Sequence, residues 1–153
     1  MIYTPLTNKA LRLAYEAHHG QTDKSGQPYI YHPFHLAEQM EDEISVCTAL
    51  LHDVAEDTPL TLEELEQEFP KEVTDALRLL TRRKGEDYFD YIRALALNPV
   101  ARRVKLADLA HNSEESRFAG CECVEWEQLA ERRDRYERAR LLLEGHGAEN
   151  AVK

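Results

Sequence analysis

The sequence predicts an all-α protein built as one helical bundle, on three observations. Apolar residues recur at three- and four-residue spacing along most of the chain. Helix starts are marked by capping residues and prolines, and helix ends by glycines. No pair of alternating segments joined by a hairpin turn is present.

Leu11, Ala14, Tyr15 and His18 share one face, which predicts a first helix from about Thr7 to His19, ended by Gly20. Residues 20–28 contain two glycines and a proline and read as a loop. His32-Pro33 opens a second helix, with Pro33 suited to the first turn. A third is expected from about Glu43 to Ala55. Its apolar residues Val46, Ala49, Leu50, Leu51 and Val54 cover most of the circumference, as in a central, buried helix. Thr61 with Glu64 makes a capping box for a short helix reaching Phe69-Pro70. Further helices are expected over Lys71–Thr81, Asp87–Leu97 and Pro99–Asn112, the last with Asn98 as cap and Pro99 at its first position. A final helix is expected from about Val124 to Glu144, stopped by Gly145, with a frayed tail over residues 147–153.

The 153 residues are read as a single domain, residues 1–153, with its core at about 7–144. With 42% hydrophobic and 31% charged residues, the composition is that of a globular chain. The net charge of −10 repels phosphate backbones and anionic lipid, so neither nucleic acid nor a membrane is expected as a partner. An anionic substrate then requires a local positive site, which a bound metal can supply. Three cysteines, Cys47, Cys121 and Cys123, do not make a disulfide framework and suggest a reducing compartment. Cys121-Glu122-Cys123 offers half the ligands of a structural zinc site and has no second pair. No signal peptide or membrane span is read, so a cytoplasmic location is expected. The oligomeric state leaves no mark in the sequence.

The chemistry concentrates in Leu50-Leu51-His52-Asp53-Val54-Ala55-Glu56-Asp57-Thr58. Three acids and a histidine beside a core are costly unless a cation or hydrogen bonds compensate. Imidazole with carboxylate suits Mn²⁺, Fe²⁺ or Zn²⁺. Neighbouring residues on a helix point about 100° apart, so His52 and Asp53 meet one ion only near an edge, and other helices must add ligands. Lys105-Leu106-Ala107-Asp108-Leu109-Ala110-His111-Asn112 places a second acid, Asp108, in apolar surroundings. Lys105 lies one turn before it, to hold the carboxylate or meet a phosphate, and Asn112 one turn after. Taken singly, each His or Asp also fits a cap, a surface charge or a satisfied core polar group. The basic runs Arg82-Arg83-Lys84 and Arg102-Arg103 fit phosphate contacts or, more simply, solvated surface. His18 and His35, and Tyr88, Tyr91 and Tyr136, are read chiefly as packing residues.

Three runs together resemble the HD phosphohydrolase superfamily, and specifically the hydrolase domain of Rel/SpoT enzymes and the small single-domain alarmone hydrolases. They are Lys24-Ser25-Gly26-Gln27-Pro28-Tyr29-Ile30-Tyr31-His32-Pro33, Ala49 to Thr58, and Val104-Lys105-Leu106-Ala107-Asp108 with His111-Asn112. The likeness covers about Leu11 to Asn112, with a helical continuation to Leu143. It implies an HD-domain helical bundle and a divalent metal, usually Mn²⁺, on His32, His52, Asp53 and Asp108. It assigns Glu56 and Asp57 to the hydrolytic step and Lys24, Ser25 and Asn112 to the nucleotide. The implied reaction removes pyrophosphate from the 3′ position of (p)ppGpp. The alternatives are an HD-type phosphatase acting on another nucleotide or phosphate ester such as NADPH, and a metal-stabilised nucleotide-binding regulatory module with little turnover. No synthetase domain is expected. Two departures from the family pattern stand out: Asp23 replaces the arginine that Rel/SpoT hydrolases carry before Lys-Ser-Gly, and Ser113-Glu114-Glu115 replaces Met-Arg-Thr after the asparagine.

Overall fold

The computed structural model describes the backbone of residues 1–122 and 125–152, and the side chains of 1–122 and 125–145. The described residues are helical with no β-strand; an isolated bridge between Thr22 and Pro28 closes the first loop. The helices are α1 (Pro5–Ala17), α2 (Tyr31–Glu38), α3 (Glu43–Leu51), α4 (Val54–Asp57), α5 (Leu62–Glu66), α6 (Lys71–Leu80), α7 (Tyr88–Leu95), α8 (Pro99–Asn112) and α9 (Trp126–Val152), with a 3-10 turn at Glu115–Phe118. No helix among them is long and apolar enough to cross a membrane.

Capping sets the boundaries. Thr61 Oγ1 accepts from Glu64 N and Glu64 Oε2 from Thr61 N, both at 3.1 Å. Asn98 Oδ1 accepts from Ala101 N at 2.9 Å. Each such cap is worth about 1 kcal/mol. The first helix begins two residues before the expected Thr7, because Thr4 and Thr7 form a reciprocal box ahead of Pro5. Asp42 likewise caps α3 through Ser45 N at 2.8 Å.

α3 is central, as its all-round apolar pattern requires. It packs against α1, α2, α6 and α8, while α9 closes the far side over α7 and α8. Val46, Ala49 and Leu50 of α3 meet Ala10 and Ala14 of α1, Leu36 and Ala37 of α2, Val73 and Leu77 of α6, and Val104 and Leu109 of α8 in one continuous core.

Two expectations are corrected. The third helix does not reach Ala55: it stops at Leu51 and resumes as α4 at Val54. Asp53 at the junction has φ −105° and ψ 0°, the sparsely allowed bridge between helix and strand. The last helix is not ended by Gly145, and the segment expected to fray, 147–153, is helical to Val152. A glycine stops a helix by taking a left-handed cap conformation; Gly145 is absent from the positive-φ glycines, unlike Gly20 at φ +84°, and so only weakens the helix it sits in. The expected start of that helix at Val124, and Cys123 of the Cys-x-Cys pair, lie outside the described residues.

Candidate metal centre

The interruption after α3 builds the site. His52 follows the last residue of α3, and its Nδ1 lies 2.7 Å from the carbonyl oxygen of Ala49. That oxygen can only accept, so Nδ1 carries a proton, and in the neutral ring Nε2 presents its lone pair. The bridge conformation of Asp53 then turns its carboxylate onto the same side: Oδ2 lies 2.9 Å from His52 Nε2. The two side chains that a continuous helix would splay apart thus converge.

α2 and α8 supply the rest. His32 Nε2 lies 2.9 Å from Asp108 Oδ1 and 3.9 Å from Asp53 Oδ2, and His52 Nε2 lies 3.7 Å from Asp108 Oδ1. His32, His52 and Asp108 are no more than 5% exposed. One donor atom from each of His32, His52 and Asp53 can be chosen so that all three lie within 4.8 Å of one another; the same holds for Asp53, Glu56 and Asp57. His52 Nε2 is fully buried yet makes no hydrogen bond in line with either neighbouring carboxylate. Two imidazole nitrogens and two carboxylate oxygens facing one another at this depth fit a divalent cation.

Electrostatics follow the same logic. Burial opposes charge on His52, Asp53 and Asp108, and partners outweigh it. Asp53 is held down to about 2 by His52. Asp108 is held well below the carboxylate range by Lys105, His32 and His52. Asp53 and Asp108 in turn hold His52 well above the usual imidazole value. In Glu56 and Asp57 burial prevails, reinforced by Asp53, and both are raised.

A supporting shell surrounds this centre. Lys105 Nζ donates to Asp108 Oδ2 at 2.8 Å, and Asn112 Nδ2 to Asp108 Oδ1 at 2.9 Å. Tyr29 OH donates to Asp53 Oδ2. His111 Nδ1 lies 2.7 Å from His32 Nδ1, with the two rings nearly coplanar. Burial, Arg117 and His32 lower His111 to about 4, so at neutral pH it is uncharged and can accept from His32 Nδ1. Such contacts fix the orientation of a metal-binding imidazole. Sequence reasoning missed Tyr29 and His111 as site residues; the signals were Tyr29 three residues before His32 and His111 three after Asp108.

The remaining predicted residues fall around a cavity of about 300 Å³ lined by Lys24, Tyr29, His32, Asn112, Arg117 and Arg132. Lys24 and Asn112 both line it. Ser25 instead donates from N (2.8 Å) and Oγ (2.6 Å) to Asp23 Oδ1, and lines a neighbouring cavity. Glu56 Oε1 accepts from Arg82 N at 2.5 Å. The acids that depart from the family pattern are engaged elsewhere: Glu114 accepts from Ser116 Oγ at 2.6 Å and Glu115 pairs with Arg133. Arg103 bonds Asp42 and Ser45, and the Arg82 guanidinium donates to Glu86 O. His18 packs on Tyr29, and Tyr91 is buried with its hydroxyl on Leu80 O.

The family model of the HD domain matches residues 10–94. The chain is 39% identical over 123 residues to the bifunctional (p)ppGpp synthase/hydrolase SpoT of Escherichia coli K12, covering 68% of this chain and 18% of that protein. It is 38% identical over 115 residues to a guanosine-3′,5′-bis(diphosphate) 3′-pyrophosphohydrolase of Haemophilus influenzae, covering 65% and 17%. The chain therefore spans less than a fifth of these relatives. Among solved structures, a metazoan ortholog of SpoT described as hydrolysing ppGpp superposes with a TM-score of 0.64 at 21% identity, over 100% of this chain and 99% of that one. The His-Asp pair on which two further helices converge, the bundle around it and the family match over more than half the chain agree: this chain is a member of the HD-domain family.

Proposed function

We propose that the chain is a metal-dependent phosphohydrolase that removes pyrophosphate from the 3′ position of guanosine 3′,5′-bis(diphosphate), releasing GDP. The observation that carries this reading is the convergence of His32, His52, Asp53 and Asp108 from three parts of the chain beside a cavity lined by cations. These four residues would hold the ion, with Mn²⁺ suited to the mixed imidazole and carboxylate set. When bound, such an ion acidifies water and neutralises charge on phosphoryl oxygens. Support for the substrate comes from the names of the relatives that match over residues shared with this chain. Cys47 and Cys121 are free thiols, which accords with a cytoplasmic setting.

The chain's own residues divide the work. Lys24, Arg117 and Arg132 offer positive charge to the substrate's phosphates in a protein of net charge −10. Asn112, held against Asp108, presents its amide at the cavity wall. Glu56 and Asp57 lie one turn beyond the His-Asp pair, within reach of Asp53. Their raised pKa makes either a stronger base than an ordinary carboxylate. Glu56 is oriented by the Arg82 N–H and takes the proton of the attacking water.

The test uses the full chain with Mn²⁺, scoring pyrophosphate against orthophosphate from ppGpp. Pyrophosphate with GDP is expected. Glu56→Gln should lower kcat by about 10²- to 10⁴-fold with the bound metal, measured by elemental analysis, retained. Orthophosphate as the product, or a fully active Glu56→Gln, would overturn the assignment.

A further inference from the structure

Asp23 stands where the Rel/SpoT pattern carries an arginine, and the structure shows what it does instead. Its Oδ1 accepts from Ser25 N, Ser25 Oγ and Gln27 N, which shapes the loop over residues 23–27. Its Oδ2 accepts from Arg117 Nη2 at 2.9 Å. Both side chains are largely buried, 11% and 19% exposed, so the pair is shielded from screening water. Arg117 Nη1 donates to the carbonyl oxygen of His111 at 2.9 Å. The guanidinium therefore bridges the end of α8 and the Lys24 loop, with two of its five N–H groups engaged in these bonds.

Asp23 and Arg117 line two cavities at once. The inner one, about 300 Å³, holds His32 of the metal centre together with Lys24, Asn112 and Arg132. The outer one, about 370 Å³, is faced by Tyr31, Phe34, His35 and His111 in addition to the pair. The ion pair, continued by the His32–His111 contact, is the wall between them. Each volume is near the lower end of the roughly 300–1,000 Å³ of ligand clefts. A ligand that extends past the pair therefore enters both.

We infer that the Asp23–Arg117 pair is the specificity-determining element of this site: Arg117 takes an anionic group of the ligand in the inner cavity, Asp23 holds it there, and the pair restricts the site to ligands with one nucleoside rather than two. This rests on the reading of the site as a nucleotide phosphohydrolase and narrows its substrate class. The Arg117 guanidinium offsets the charge of Asp23, and both carboxylate oxygens already accept from protein donors.

The test titrates the Mn²⁺-loaded full chain calorimetrically with GDP, which has one nucleoside, and NADP⁺, which has two, beside steady-state hydrolysis of ppGpp. Wild type should bind GDP at least about tenfold tighter than NADP⁺. Arg117→Ala should weaken GDP by about 10- to 100-fold, shift the preference toward NADP⁺, and act on KM for ppGpp with kcat held within about threefold. Arg117→Lys should restore part of the GDP affinity. If Arg117→Ala fails to fold, Asp23→Asn serves: the amide oxygen still accepts from the loop, the charge pair is gone, and the same shift in preference is expected at smaller size. Equal loss for GDP and NADP⁺, a loss confined to kcat, or a wild type that prefers NADP⁺ would overturn the inference. Absence of ppGpp turnover in a wild type that keeps the GDP preference would overturn the alarmone assignment alone.

Discussion

Lys105 is the group whose removal tests the electrostatic account most directly. Its ammonium lies 2.8 Å from Asp108 Oδ2 and 5.5 Å from the centre of the Tyr91 ring. The two side chains are 14% and 7% exposed, so the usual discount for a surface pair does not apply. Burial opposes the charge on Lys105, yet Asp108 and the neighbouring tyrosine oxygens hold it firmly protonated. Removing one partner of a buried pair costs about 3–5 kcal/mol because the other charge is stranded. Asp108 keeps Asn112 and His32, which places Lys105→Met at the lower end, about 3 kcal/mol. For a domain of this size that is a fall in Tm of about 6–12 °C. The melt is run in EDTA at pH 7. The folded pKa of Asp108 is lowered, so its stabilisation is complete above the unfolded value and is lost only as pH falls through the folded one. Lys105→Met with Asp108→Asn strands no charge and should recover most of the loss. A single variant that melts within about 2 °C of wild type, or a double variant no better than the single, would refute the reasoning.

The same geometry gives two other expected outcomes. Asp53→Ala should lose the metal outright, with an affinity loss beyond the roughly 10- to 100-fold typical of a supporting residue; elemental analysis after desalting checks this, and full occupancy would remove Asp53 from the ligand set. His111→Gln concerns pH. The folded pKa of His111 is about 4, below the ordinary imidazole value, so its contribution to stability is present above pH about 6.5 and is lost as pH falls toward 4. The variant should therefore lose less stability than wild type between pH 7 and 5 in EDTA denaturant titrations, and equal losses would place the acid sensitivity elsewhere.

Most of the helices are legible because their signals are local. Thr61 with Glu64, Asn98 with Pro99, and the apolar circumference of Val46 to Leu51 act over a few residues, and each does what its chemistry requires. Gly145 misleads because the residues C-terminal to a glycine decide its conformation, and here the chain continues as helix. Arg117 carries no signal at all. It lies 94 residues from Asp23, and only the turn after α8 brings them together. Charge reversal at Asp23 looks like a defect in an anion site for as long as its partner is out of view.

The break at Asp53 joins the legible part to the illegible one. The composition of Leu50 to Thr58 marks a cation site, and the 100° step between adjacent helical residues says that His52 and Asp53 cannot share it comfortably. Both statements hold only if the helix ends between them and the next one. His52 supplies the means: its Nδ1 bonds back to the Ala49 carbonyl, which fixes the imidazole at the helix end and leaves Nε2 facing inward. Asp53 takes a sparsely populated backbone conformation, and such conformations persist where surrounding structure over-determines them. Val54 is fully buried immediately afterwards and Thr58 Oγ1 donates to its carbonyl at 2.6 Å, so α4 is pinned and the turn cannot relax into continuous helix without expelling Val54 from the core. The same step that aims Asp53 at the metal centre sets Glu56 and Asp57 one turn further along, at the rim of the site. The proposed ligand and the proposed base are thus placed by one backbone event, and the apolar anchors on either side of it, Leu51 and Val54, hold that event in place.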